Sequence, residues 1–519
     1  MGSCAAPSAK GDDKFITTDY LQQCPLKSNP FEHYTAENEP DISLYAVRPP
    51  YLSAITDRAR ALNSFILFGQ RGAGKSATRL TVFKEDYSTE EKKPFLVNLT
   101  DFTDLIEKFK KGRLTERDII YLVAYNVIEQ MLGWISLLDE DKRKKIISQL
   151  SAKQRELIFA LLKGFYLSKS EGERELTTEN TLKLLDSAWF KRSQIWTSHR
   201  WESISKVIAA AINTLSKKTL DDDAIDISKP AEELLKSLTG ESANAPRVLL
   251  SRLVDFSQSF GFSGICVLID KLDETTVTTN SSEATAQLIF PLLSNIQLLE
   301  INNFSWIAFV WDAVQDHFNS KHRIRLDKIA HANISWNNDE LKEMLDKRMS
   351  FFSNGKLKFE DILDVSGDKH KVVEQLIHIS VKSPRELIKL CDIIFREHDA
   401  NEFKGGINEQ SLNSGIDKYC LDTIGTWYEN DVLQQIYRLG KDIFVNKDVQ
   451  KLFKISDQGA RNKIKAWEDM QIVKKKGTTP SDAGGKPVTL YEVADPRIVR
   501  IINKELDPAV GFSDLSEED

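Results

Sequence analysis

Eight consecutive residues, Gly69-Gln70-Arg71-Gly72-Ala73-Gly74-Lys75-Ser76, carry the pattern G-x-x-x-x-G-K-S. The apolar run Ser64-Phe65-Ile66-Leu67-Phe68 precedes them and helix-compatible Ala77-Thr78-Arg79-Leu80 follows. A glycine-rich turn between a buried strand and a helix is the context a nucleotide-phosphate cradle requires. The glycines let successive backbone N–H groups converge on one anion, and the helix start adds its positive dipole end. Lys75 is placed to reach the β- and γ-phosphates, and the Ser76 hydroxyl to take one Mg²⁺ position.

A second cluster lies far along the chain, at Leu268-Ile269-Asp270-Lys271-Leu272-Asp273-Glu274. Asp270, at the tip of an apolar strand, suits a nucleotide-bound Mg²⁺, which needs a rigid carboxylate facing the phosphate loop. Glu274 is the first candidate for polarising an attacking water, with Asp273 as the alternative. The competing reading is that the acidic pair caps a following helix.

Positioning these groups requires a parallel sheet. Apolar runs without alternation, which suit strands buried on both faces, occur at Phe65–Phe68, Phe95–Leu99, Ile265–Ile269 and Trp306–Trp311, with a weaker one at Ala332–Trp336. Between the second and third, residues 103–255 repeat apolar positions at helical spacing, as in Ile119, Val123, Val127 and Met131. That interval reads as a helical insertion, with Asp221-Asp222-Asp223 a solvated turn within it. The expected division is an N-terminal arm and extended lead-in over 1–50, a nucleotide-binding core over 51–337, a helical lid over 338–425, a further domain over 426–505 and an acidic tail over 506–519.

Lys271 stands where a second acid usually follows the Mg²⁺ aspartate, and the resulting D-x-hydrophobic-D-E arrangement resembles the STAND class of signalling ATPases, relatives of the AAA+ proteins. The lead-in, the phosphate loop and Ser383-Pro384-Arg385 also look like a bacterial P-loop ATPase family whose members often lie among phage-defence genes. The resemblance implies ATP with Mg²⁺ as the bound group, held by Gly69 through Ala77, Asp270 and Arg385. It also implies a homo-oligomer and a separate effector protein as partners. In AAA+ relatives an arginine at the place of Arg325 reaches a neighbouring subunit's γ-phosphate; a surface Arg–Asp pair with Asp327 is the other reading. Asp312 sits where those relatives carry a γ-phosphate-sensing residue, though usually Asn or Thr. Arg385, behind the cap Ser383 and the first-turn Pro384, matches the place of a second sensor arginine. His317 and His322 read as surface residues.

Residues 426–505 show three short amphipathic helices, around Val432–Leu439, Val449–Phe453 and Ala460–Trp467, then a hairpin from Ile472–Gly477 and Pro487–Val493. This is the winged-helix plan. Arg461, Lys465, Lys474, Lys475 and Lys476 can face a DNA backbone, although the segment holds 15 Lys and Arg against 11 Asp and Glu. DNA binding and a protein contact both remain open for it.

The bulk numbers fit a multidomain globular protein: 519 residues, 41% hydrophobic and 28% charged. A net charge of -7 argues against coating nucleic acid along the whole surface. Five cysteines without C-x-x-C spacing point to a reducing cytoplasm, with neither zinc site nor disulfide framework. No membrane segment is expected, since apolar runs such as Val207–Ile212 fall far short of about 20 residues. Met1-Gly2-Ser3-Cys4 lacks the Ser or Thr of an acylation signal at Ala6 and has no secretory pattern.

Overall fold

The computed structural model describes residue 26 and residues 29–40, 42–87, 92–177, 228–240, 242–279, 281–322, 324–401, 405–480 and 487–507. Asp221–Asp223, Val207–Ile212, Arg323 and residues 508–519 of the acidic tail lie outside the described residues, as does the side chain of His322. The chain divides into two compact units: Glu39–Ser335, and Met1–Asn38 together with Trp336–Asp519.

In the first unit, α1 (Pro50–Arg60) leads to β1 (Phe65–Gly69), which runs through the glycine loop into α2 (Lys75–Tyr87). Strand β2 (Phe95–Leu99) follows, then helices α3 (Thr103–Lys110), α4 (Glu116–Leu137), α5 (Glu140–Gln149), α6 (Ala152–Leu161), α7 (Ser228–Thr239) and α8 (Ala245–Ser259). The described part of the expected insertion is therefore helical. Next come β3 (Ile265–Ile269), α9 (Ser282–Leu293), β4 (Phe304–Trp311) and β5 (His331–Asn333).

The five strands form one parallel sheet in the order β2-β3-β4-β1-β5. Alternate side chains serve opposite faces, because the strand period is two. Ile66, Phe68, Val97 and Val267 join a large core with α4 and α8, whereas Leu67, Leu96, Leu268 and Phe309 pack with α1 and α2. Both faces are thus dry, which explains the unbroken apolar runs.

The fifth strand is shorter than the sequence suggests. Ala332–Trp336 pairs only through Asn333, after which Ile334 N donates one bond to Phe68 O at 2.7 Å. As the edge strand it meets a neighbour on one side only, so little holds it extended. Helix α4 is long and apolar enough to cross a membrane, which a search for uninterrupted apolar runs does not show; 83% of its apolar window is buried, as in the core helix of a globular unit.

The second unit contains α10 (Asn338–Phe352), α11 (Lys369–Ile379), α12 (Pro384–Ala400) and α13 (Glu409–Ile424), with a small pairing of β6 (Leu363–Asp364) and β7 (Ile407–Asn408). Its winged-helix part comprises α14 (Asn430–Leu439), β8 (Ile443–Val445), α15 (Asn446–Phe453), α16 (Asp457–Asp469), β9 (Val473–Thr479), β10 (Val488–Val493) and α17 (Pro496–Asn503). Ser456 caps α16 by accepting from Gly459 N at 3.1 Å, as its residue type predicts. Strand β8 joins the hairpin in the order β8-β10-β9. Neither β8 nor α17 was expected, since three residues are too few for a period and α17 begins behind the loop-like Asp495-Pro496.

The lead-in contributes more than an extended arm. Phe31 is fully buried in the second unit, between Phe395 at 5.3 Å and Phe359 at 5.9 Å between ring centroids. Asn29 Nδ2 and the Tyr34 hydroxyl both donate to the buried Asp392 carboxylate. The architecture is of the expected α/β class: a core with a five-stranded parallel sheet and a helical insertion, and beyond it a helical block and a winged helix.

Candidate nucleotide site

The glycine loop turns where β1 ends. Gly72 and Gly74 have φ of 79° and 94°, a region that side-chain-bearing residues rarely enter. Gly69 is favoured for a different reason: a Cβ there would crowd the Ile334 side chain, 3.0 Å from its Cδ1. Ala73 N closes the turn on Gln70 O at 3.2 Å, and Thr78 N bonds Gly74 O at 2.9 Å as α2 begins. Lys75 is the first residue of α2, and its ammonium donates to Gly69 O at 2.9 Å and Gln70 O at 3.1 Å. The lysine thus lies across the concave side of its own loop, beside a helix start. Ser76 follows it, half-buried, and Ala77 comes next in the first turn. An ammonium held at the loop, the loop's backbone N–H groups and a helix N-terminus are a donor set that suits a chain of phosphates.

Arg71 has a defined place in that loop. Its Nε donates to Asp273 Oδ2 and its Nη2 to the Asp273 carbonyl, both at 3.0 Å, while the guanidinium lies 4.4 Å from the Trp311 ring centre. The glycine loop is thereby tied to the segment after β3 and to the end of β4.

Asp270 stands just past β3, at the same carboxyl edge of the sheet as the loop, with β4 between β3 and β1. Open parallel sheets bind ligands at this edge. The carboxylate is almost wholly buried, and each oxygen accepts one bond, Oδ1 from Lys271 N at 2.9 Å and Oδ2 from Arg79 Nε at 3.0 Å, which leaves each a further lone pair. Lys271 takes a left-handed φ of 63°, which turns the chain sharply away from the strand. Among the described residues no three His, Cys, Asp or Glu side chains gather at a metal-binding distance.

The two acids that follow differ in environment. Asp273 is buried beneath Arg71, whereas the Glu274 side chain is 53% exposed and 3.9 Å from Lys271 Nζ. Glu274 also lines a cavity of about 300 Å³ with Thr100, Asp101, Phe102, Lys271 and Thr275. Helix capping is not what these acids do, since a turn follows them and α9 is capped by Ser281, which accepts from Ala284 N.

Further out, Asp312 opens a helical turn directly after β4, and His317 Nε2 shares a 3.0 Å hydrogen bond with Ser282 Oγ. Arg325 is 58% exposed and forms a two-pronged pair with Asp327 at 2.8 and 2.7 Å, which holds its pKa above the ordinary arginine value. Arg385, in the second unit, occupies the first turn of α12, half-buried behind Ser383 and Pro384. Residue-by-residue reading missed Arg79, Asn98 and Trp311. Arg79 alone left a signal, lying four positions after Lys75 and so on the same helix face.

In the winged helix, Arg461 pairs with Asp457 at 2.9 Å, and Lys474 and Lys476 both pair with Glu492, at 3.2 and 3.0 Å. Lys465 and Lys475 are exposed, and neither forms an ion pair among the described residues.

No family model and no curated protein matches the chain. Among solved structures it is similar to the Aeropyrum pernix ORC1 protein in complex with DNA, at 10% identity and a TM-score of 0.33, over 91% of this chain and 97% of that one. It is also similar to the Aeropyrum pernix ORC2 protein in its ADP form, at 9% identity and a TM-score of 0.34, over 88% and 93% of the two chains. The ORC2 ADPNP-ADP complexes give 10% identity and a TM-score of 0.35, over 88% and 92%. Similarity this distant leaves the chemistry to be argued from the residues themselves.

Proposed function

We propose that the chain is an ATP-binding and ATP-hydrolysing switch, a regulatory or assembly ATPase acting on a separate effector protein. The observation that carries this is the Lys75 ammonium lying across a positive-φ glycine loop at the sheet edge that also bears Asp270 and Glu274. The backbone of Gly69 to Ser76 and the start of α2 hold the phosphates, and Lys75 exchanges its carbonyl partners for phosphate oxygens. Ser76 and Asp270 hold Mg²⁺, which when bound neutralises charge on the β- and γ-phosphates. Glu274, the more exposed acid, orients the attacking water. By the family resemblance, Arg385 is the candidate sensor arginine that responds to the nucleotide's phosphate state. Arg325 reaches a second copy's nucleotide within a homo-oligomer, for which its exposure leaves it available. Placement within a phage-defence module rests on the family resemblance alone.

The test is nucleotide binding and turnover side by side. Lys75→Ala should abolish binding of ATP, while Glu274→Gln should bind ATP yet hydrolyse it at least about a hundredfold more slowly. Wild-type turnover no faster than that of Glu274→Gln, with the partner present, would instead make the chain a nucleotide-binding scaffold.

A second reading is a DNA-binding, initiator-like ATPase, favoured by the exposed Arg461, Lys465 and Lys475 of the winged helix. Steeply salt-dependent DNA binding, weakened by Lys465→Ala with Lys475→Ala, would support it. No binding at low salt would remove it.

A further inference from the structure

Arg79 is among the most buried charged residues of the chain, and its surroundings give it more than a packing role. Its side chain and that of Asp270 are each only 2% exposed. The guanidinium is shared: Nε donates to Asp270 Oδ2 at 3.0 Å, while Nη1 donates to Asn98 Oδ1 at 2.7 Å. Asn98 in turn is fixed on both sides of its main chain, its N–H to Gln130 Oε1 at 2.9 Å and its carbonyl to Gln130 Nε2 at 2.7 Å. Its own Nδ2 is buried without a hydrogen-bond partner among the described residues. The amide therefore leaves its donor unsatisfied while its oxygen serves Arg79. One chain of bonds thus joins α2, the tip of β3, β2 and the insertion helix α4.

We propose that Arg79 is the positioning residue of the metal site, holding the Asp270 carboxylate in the orientation in which it supports Mg²⁺, with Asn98 fixing the guanidinium and Gln130 fixing Asn98. The inference rests on the ATP·Mg²⁺ reading of the site. A buried carboxylate whose counter-ion is itself held by an anchored amide cannot swing freely, and its burial is offset by the guanidinium even before a metal arrives. Groups that orient a metal-supporting carboxylate set metal affinity without touching the metal. The backbone donors that grip phosphate belong to Gly69–Ser76 and do not pass through Arg79, so the two functions are separable.

The experiment titrates Mg²⁺ against binding of a fluorescent methylanthraniloyl ATP, with EDTA giving the metal-free affinity. Arg79→Gln should keep the metal-free affinity and raise the half-saturating Mg²⁺ concentration about tenfold. Asn98→Ser should shift it in the same direction by less, because Arg79 and its charge remain. Arg79→Lys, which keeps the charge but not the fork, should fall between Arg79→Gln and wild type. Circular dichroism reports folding, and should Arg79→Gln not fold, Asn98→Ser and Arg79→Lys decide. Wild-type Mg²⁺ dependence in the folded variants, while Asp270→Asn loses it, would overturn the role of Arg79. Should Asp270→Asn itself behave as wild type, the assignment of the metal site fails, and the proposal with it.

Discussion

Arg71, in the phosphate loop, grips Asp273 through both its carboxylate and its main-chain carbonyl, each at 3.0 Å. This separates two acids that the sequence only ranks, Glu274 first and Asp273 as the alternative. Asp273 is occupied by a loop arginine that also stacks on Trp311, whereas Glu274 faces a cavity. Asp273→Asn should therefore weaken nucleotide binding by loosening the loop, with the turnover of bound ATP reduced less than in Glu274→Gln. Single-turnover measurements separate the two effects. If Asp273→Asn binds ATP normally and loses turnover as completely as Glu274→Gln, the roles are reversed.

Phe31 anchors the lead-in to the second unit, fully buried and flanked by Phe359, Phe395 and the Arg348 guanidinium at 5.7 Å. Phe31→Ala should cost about 3–5 kcal/mol, as large-to-small core substitutions do. Chemical denaturation should show the loss, and deletion of residues 1–38 should destabilise the same unit. An unchanged midpoint for Phe31→Ala would mean that the lead-in is not docked in solution.

His398 supplies an acid limit. It is buried, with Nδ1 3.1 Å from Ser411 Oγ, and burial lowers its pKa below the ordinary value near 6.5, against the opposing pull of Asp399. The unfolded chain then binds more protons than the folded one as pH falls through the histidine range. Stability from this group is present above about pH 6.5 and is lost towards the lower, folded-state pKa. Thermal melts between pH 7.5 and 5.5 should fall more steeply for wild type than for His398→Asn. Parallel slopes would refute this.

The thiols of Cys391 and Cys420 are pushed up by burial, that of Cys420 to about 12. Cys266 lies within β3 and is likewise buried. Thiolates are the reactive form, so these three should resist a thiol reagent in the folded protein and react only on unfolding. Peptide mass mapping before and after denaturant checks it; rapid labelling of Cys420 in the native state would contradict it.

Arg325 gives the oligomer question a direct test. Native mass measurement with and without ATP should show an ATP-dependent assembly, and Arg325→Ala should lower turnover without lowering binding, by up to about a thousandfold for a transition-state arginine. A protein that stays monomeric under both conditions leaves the pair with Asp327 as the whole role of Arg325.

What the sequence determined by itself was the local chemistry and the order of elements. Gly72, Gly74 and Lys75 mark a tight glycine turn with a cation at the following helix start, because backbone conformation and charge are properties of residues and their spacing. The runs at Phe95–Leu99 and Ile265–Ile269 match β2 and β3 residue for residue, since strands buried on both faces leave continuous apolar stretches. Short or edge elements such as β5 and β8 were shortened or missed, because a three-residue strand is held by its neighbours rather than by its own pattern. The tertiary structure alone decided which charges meet. Arg79 lies 191 residues from Asp270, and Arg71 lies 202 from Asp273, and nothing local marks either pair. Asp392, buried under Asn29 and Tyr34, is likewise invisible until the lead-in folds back. Ion pairs of this kind depend on where a sheet brings distant strand ends together, and strand order is set by long-range packing that no residue encodes alone.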